Sequence, residues 1–153
     1  MEKRLCGTQT DWPCFEMPVI VSRVPPDMLE HFWEEVEEFI NLARRIDTHE
    51  SNEEIKEKIA NCVYQLWVAI DVEIICAMVT MLLDRGHEKV LHVEYAGAIK
   101  NSMRFWKEKI VDALTDFAKQ HGAVALECAG RTGWQAIFPE AKVISVKIRK
   151  ELQ

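Results

Sequence analysis

Few residues in this chain have types and spacing suited to chemistry, and most of them lie in or beside one stretch. Glu94 and Tyr95, in His-Val-Glu-Tyr, put a carboxylate next to a phenol. A carboxylate there could take a proton only if burial raised its pKa towards neutrality, and the phenol could then return one. Plain strand alternation places Glu94 in solvent, on the face opposite to Val93 and Tyr95. His87, Glu88 and His92 spell His-Glu-x-x-x-His. A helical metal pair needs a spacing of four, and this segment reads as loop and strand, so no metal site is expected. His31, His49 and His121 are isolated and read as surface or cap residues. No Gly-x-Ser-x-Gly elbow, Walker loop or Cys/His nucleophile pair occurs.

The elements that position these residues follow from periodicity. Residues 1–17 lack a period and read as an N-terminal arm, with 18–153 forming one domain. Trp12 and Phe15 are costly to leave in water, so the arm is expected to dock and these two to contact a partner. Pro18 to Val24 is a β-branched first strand. After Pro25-Pro26 a helix is predicted over 27–46, its stripe being Leu29, Phe32, Trp33, Val36, Phe39, Ile40 and Ala43, with glutamates opposite. Ser51 and Glu54 form a capping-box pattern that opens a second helix, running to about Cys62 with Ile55 and Ile59 buried.

Tyr64–Ile70 and Ile74–Leu83 read as a hairpin around Asp71-Val-Glu73. A fourth strand spans 89–96. A long helix follows over 100–121, with Ile99, Met103, Trp106, Ile110, Leu114 and Phe117 as its core stripe and Gly122 as its C-cap. Phe105 falls off that stripe onto a polar side, where an exposed aromatic can mark an interface. Ala123–Cys128 is a fifth strand. A short helix from Gly130 ends at Pro139, and residues 142–149 alternate as a last strand. Arg131 either caps that short helix or reaches a ligand. This order implies an α/β fold with a mixed, mostly antiparallel sheet and helices on both faces.

Composition bounds the function. The 153 residues are 48% hydrophobic and 29% charged, enough to bury a core and stay soluble. A formal charge of -6 argues against nucleic acid as the partner. The longest apolar run, Ile74 to Leu83, is about half of the ~20 residues that span a bilayer, so no membrane partner is expected. Five cysteines without a Cys-x-x-Cys pair suggest reducing cytosol.

Leu66-Trp67-Val68 in the hairpin, Trp106 on the long helix, Ala118 to Gly122 at its end and Gly130-Arg-Thr-Gly-Trp134 occur in an order that resembles the GNAT superfamily of acetyl-CoA-dependent N-acetyltransferases. It resembles most the small GNAT-like proteins encoded among bacteriophage head and tail genes. The resemblance implies a GNAT-like sheet with a shortened C-terminus, one strand following the short helix in place of two. It also places the family's general base at Glu94 and its cofactor loop where the fourth strand meets the long helix. The family carries Arg/Gln-x-x-Gly-x-Gly/Ala there, because backbone N–H groups at the helix start must approach a pyrophosphate closely. Here Ser102, Phe105 and Lys107 occupy those slots, and Phe105 and Trp106 are expected to fill the cradle. Gly97 remains, with Lys100 and Arg104 supplying positive charge.

Two principal readings follow. The first is a non-catalytic protein of bacteriophage type, a protein-binding or virion-assembly module in the host cytosol. It takes no cofactor, and it contacts a protein partner or its own copies through Trp12, Phe15 and Phe105. The alternative is an N-acetyltransferase that binds acetyl-CoA through an atypical loop of Gly97, Lys100 and Arg104, with Glu94 as base and Tyr95 as proton donor. A small sensor that binds an acyl-CoA or nucleotide without turnover is a third, weaker reading.

Overall fold

The computed structural model describes residues 18–44, 48–128, 142 and 150. Trp12, Phe15, Arg131, the 130–134 turn and the last strand therefore lie outside the described residues. The elements run β1 (Ile20–Val24), a 3-10 turn (Pro26–Met28), α1 (Leu29–Ala43), α2 (Asn52–Ala60), β2 (Gln65–Asp71), β3 (Glu73–Asp84), β4 (Lys89–Ala98), α3 (Met103–Gln120) and β5 (Ala125–Cys128). Sheet order equals chain order, β1-β2-β3-β4-β5. All neighbours are antiparallel except β4 and β5, which α3 connects as a parallel pair.

The predicted elements form, with local shifts that have physical causes. Pro25 is extended and Met28 donates to its carbonyl at 2.9 Å, so a 3-10 turn precedes α1 and the helix starts at Leu29. Both halves of the Ser51–Glu54 capping box are made. The long helix starts at Met103, three residues later than expected, because Asn101 takes φ +66 in a turn closed by Ser102 N–H on the Ile99 carbonyl. Ile99 thus falls outside the helix and is 43% exposed instead of joining its stripe. At the far end Ala123 N–H reaches the Ala118 carbonyl and Gly122, at φ +75, reaches Lys119, the paired bonds of a Schellman cap.

Each face of the sheet carries a core. On one face α3 lays Trp106, Ile110, Leu114 and Phe117 over Trp67, Met78, Leu91 and Val93. On the other, Trp33, Val36 and Ile40 of α1 and Ile55 and Ile59 of α2 cover Leu66, Val68, Val79 and Tyr95. Burial of this kind contributes about 1.5–3 kcal/mol per large side chain.

Two bulges break the alternation. In β3, Cys76 faces Ala69 and Ile74 faces Ile70, so Ile75 is the extra residue. In β4, Tyr95 faces Val79 and Val93 faces Thr80, which leaves Glu94 as the extra residue. The second bulge reverses the side-chain parity of β4. Leu91 and Val93 point to the α3 core before it, and Ala96 and Ala98 do so after it.

Candidate functional site

The bulge is what assembles the site. His92 and Glu94 lie opposite to Leu91 and Val93 by alternation, and the extra residue brings Tyr95 to that same α1–α2 side. The expectation that Glu94 points away from Tyr95 into solvent is therefore corrected: its side chain is only 20% exposed and meets His92, with Oε2 2.6 Å from Nδ1. Nδ1 makes no hydrogen bond along this contact and is sealed from solvent.

Tyr95 is engaged elsewhere. Its hydroxyl donates to Glu50 Oε1 at 2.7 Å, and the Tyr64 hydroxyl donates to the same oxygen at 2.7 Å. These are the two tyrosines of the chain. Lys58 pairs with the other oxygen, Oε2. Partial burial alone would raise the Glu50 carboxyl pKa. The bonds from Lys58, Tyr64 and Tyr95 outweigh burial and hold it below its ordinary value. The phenols shift the other way: burial first, then the hydrogen bond to Glu50 and its charge, push Tyr64 and Tyr95 upwards. A phenol so placed holds its proton tightly, which weighs against Tyr95 as an acid. Arg44 donates to the Glu50 carbonyl at 2.7 Å and pairs with Asn52 Oδ1, fixing the α1–α2 connection over the sheet.

The other end of the site is the turn from β4 into α3. A Cβ on Gly97 would stand 2.1 Å from the Phe39 carbonyl oxygen of α1. That close helix–sheet approach accounts for the glycine without any phosphate. Ser102 is buried, donating to the Ile99 carbonyl at 2.6 Å and accepting Trp106 Nε1–H at 3.0 Å. Trp106 is thereby drawn into the α3 core, 4% exposed. Phe105 turns outward, 47% exposed, with the Arg104 guanidinium 4.5 Å from its ring centre. The expected filling of the cradle thus fails for Trp106, while Lys100 and Arg104 are exposed beside the helix start.

Sequence reasoning had Glu94 and Tyr95, and it missed Glu50, Tyr64 and the role of His92. Among the eleven glutamates of the first 60 residues nothing marks Glu50; the pair of tyrosines needing polar partners was the usable signal. Among the described residues no group of three His, Cys, Asp or Glu is placed to hold a metal ion. Nor is any helix among them long and apolar enough to cross a membrane.

No family model matches the chain, and no curated protein matches it by sequence. Solved structures do match by shape. The aminoglycoside acetyltransferase HMB0005 from an uncultured soil metagenomic sample aligns over 90% of this chain and 99% of its own at TM-score 0.68 and 11% identity. A second aminoglycoside acetyltransferase, meta-AAC0020, also from an uncultured soil metagenomic sample, aligns over 88% and 97% at 0.66 and 13%. Glucosamine-6-phosphate N-acetyltransferase from Arabidopsis thaliana aligns over 88% and 99% at 0.60 and 15%. The α/β architecture, with its five-stranded, mostly antiparallel sheet, is the fold of the GNAT acetyltransferases.

Proposed function

We propose that this protein transfers an acetyl group from acetyl-CoA to an amine, with the Glu94 side of the β4 bulge as its base. The observation that carries the reading is the Glu94–His92 contact. Both side chains lie on the face where the α1–α2 connection is pinned by Glu50, and the bulge brings Tyr95 to that face beside them. An acceptor ammonium must lose a proton before its nitrogen can attack, and a partly buried carboxylate–imidazole pair is a chemically apt sink.

Acetyl-CoA would supply the acetyl group as an activated thioester. The residues present fit it better than the sequence pattern suggested. Trp106 is withdrawn into the core, Ser102 faces inward, and Lys100 and Arg104 offer charge to phosphates at the start of α3. A reading without a cofactor gains no support, because one neighbour of the same fold is a predicted acetyltransferase solved with acetyl-CoA. Amino sugars are the first acceptors to screen, given the aminoglycoside and glucosamine-6-phosphate enzymes among the neighbours.

The test is calorimetry with acetyl-CoA, then turnover on a panel of amines. Micromolar binding is expected, and Glu94→Gln should lower turnover by at least ~100-fold while leaving acetyl-CoA affinity intact. No heat up to millimolar acetyl-CoA would sink the proposal. The second reading, a non-catalytic module of phage type with a protein partner, rests on the exposed Phe105 ring. The acetyltransferase neighbours lend the phage and virion part no support.

A further inference from the structure

Which atom of the Glu94–His92 pair takes the proton follows from what surrounds the imidazole. Its surroundings are specific. Glu94 Oε2 lies 2.6 Å from Nδ1 on one side. On the neighbouring strand, His92 is the register partner of Glu127. Glu127 is itself gripped by Arg85, whose Nη1 and Nη2 donate to its two oxygens at 2.8 and 2.6 Å. The imidazole thus has one carboxylate against its ring and a second, paired with Arg85, in register on the neighbouring strand. Lys58, Tyr64 and Tyr95 lie within electrostatic reach of Glu94, and all three are bonded to Glu50.

At 2.6 Å an ionised carboxylate and an unprotonated Nδ1 would oppose lone pair to lone pair. The contact is therefore favourable only when Nδ1 carries hydrogen, which leaves Nε2 as the basic atom of the neutral ring. Turning the ring so that this hydrogen lies along the contact would complete the bond to Oε2.

We infer that the base is the His92–Glu94 pair acting as a dyad. Glu94 holds the Nδ1–H tautomer, and the proton leaving the acceptor ammonium ends on Nε2. Charge balances: ammonium and neutral imidazole become amine and imidazolium, and the new cation has Glu94 against its ring and Glu127 in register on β5. The advantage is one of matching, since glutamates ordinarily titrate near ~4.3 and imidazoles near ~6.5. This inference rests on the acetyltransferase reading for its catalytic half only.

The test has two arms, so that failure of the dyad and failure of the reading give different results. In the first, nitrogen NMR of the imidazoles follows His92 in the wild type, Glu94→Gln and Glu127→Gln. The Nδ1–H tautomer is expected in the wild type, and Glu94→Gln, more than Glu127→Gln, should move the tautomer balance towards Nε2–H. An Nε2–H tautomer in the wild type, or a tautomer balance that Glu94→Gln leaves in place, overturns the dyad whether or not the protein is an enzyme.

In the second arm His92→Gln, checked for a wild-type melt and acetyl-CoA affinity, should lose ~100-fold in kcat and lose the acidic limb of its kcat/KM profile. If His92→Gln keeps that limb, the catalytic half is overturned. NMR coupling without acetyl transfer by the wild type overturns the acetyltransferase reading and the catalytic half together.

Discussion

Replacing Gly97 by alanine tests the packing account of this glycine against the phosphate account. The added methyl would meet the Phe39 carbonyl oxygen at 2.1 Å, and ordinary contact begins near 3.4 Å, so α1 must retreat by about 1.3 Å. Backbone cannot swing aside as a side chain can. A radial gap of about 1 Å forfeits roughly a third to a half of the dispersion between facing surfaces. Leu29, Trp33, Val36 and Ile40 are the buried residues of α1, and their burial is worth roughly 8 kcal/mol together. Losing about a third gives a cost of ~3 kcal/mol, a fall in Tm of about 9 °C for a chain of this size. The assay is thermal and urea unfolding followed by circular dichroism. Gly86→Ala is the control: its methyl would meet nothing within 4 Å but its φ is +87, so it should cost only about 1 kcal/mol. The packing account is refuted if Gly97→Ala melts within about 2 °C of wild type yet binds acetyl-CoA more weakly.

Three other perturbations have expected outcomes. Val72 is a β-branched residue at φ +64 on the hairpin tip, 88% exposed, so Val72→Gly should raise stability by about 1 kcal/mol, seen as a higher urea midpoint. Because Glu50 is held below its ordinary pKa in the folded state, its contribution is present above the unfolded value near 4.5 and disappears as pH falls through the folded one. Glu50→Gln should then cost about 2 kcal/mol at pH 7 and flatten the acid side of the stability profile, which melts between pH 7 and 3 would show. Burial pushes the Cys76 thiol up to about 12, whereas Cys62 is exposed, so mass-mapped alkylation should modify Cys62 readily and Cys76 only on unfolding.

Much of the fold was legible because the signals were local. Ser51 with Glu54, Gly122 after the long helix, and the β-branched runs of the hairpin each encode their own element, and each forms where it was read. The site was less legible because it depends on one uncounted residue. His-Val-Glu-Tyr reads as perfect alternation, and nothing in its composition announces that Glu94 is extra; the bulge is set by pairing with Val79 and Thr80 on β3. The packing of Gly97 was hidden for the complementary reason. A glycine beside a helix start suits a phosphate, but the backbone it also approaches, at Phe39, is 58 positions away in sequence and visible only in the packed structure.

The identity of sheet order and chain order bears on how the protein folds. The β2–β3 and β3–β4 hairpins close through short connections, so their loop-closure entropy is small and they can form early. β1 must wait for α1 and α2, and β5 for α3, to bring it back to the sheet. Deuterium exchange should therefore find its slowest amides in the β2–β3–β4 meander, with β1 and β5 opening first. The bulge at Glu94 lies inside that meander, so the chemistry proposed for this protein would sit on its most persistent unit.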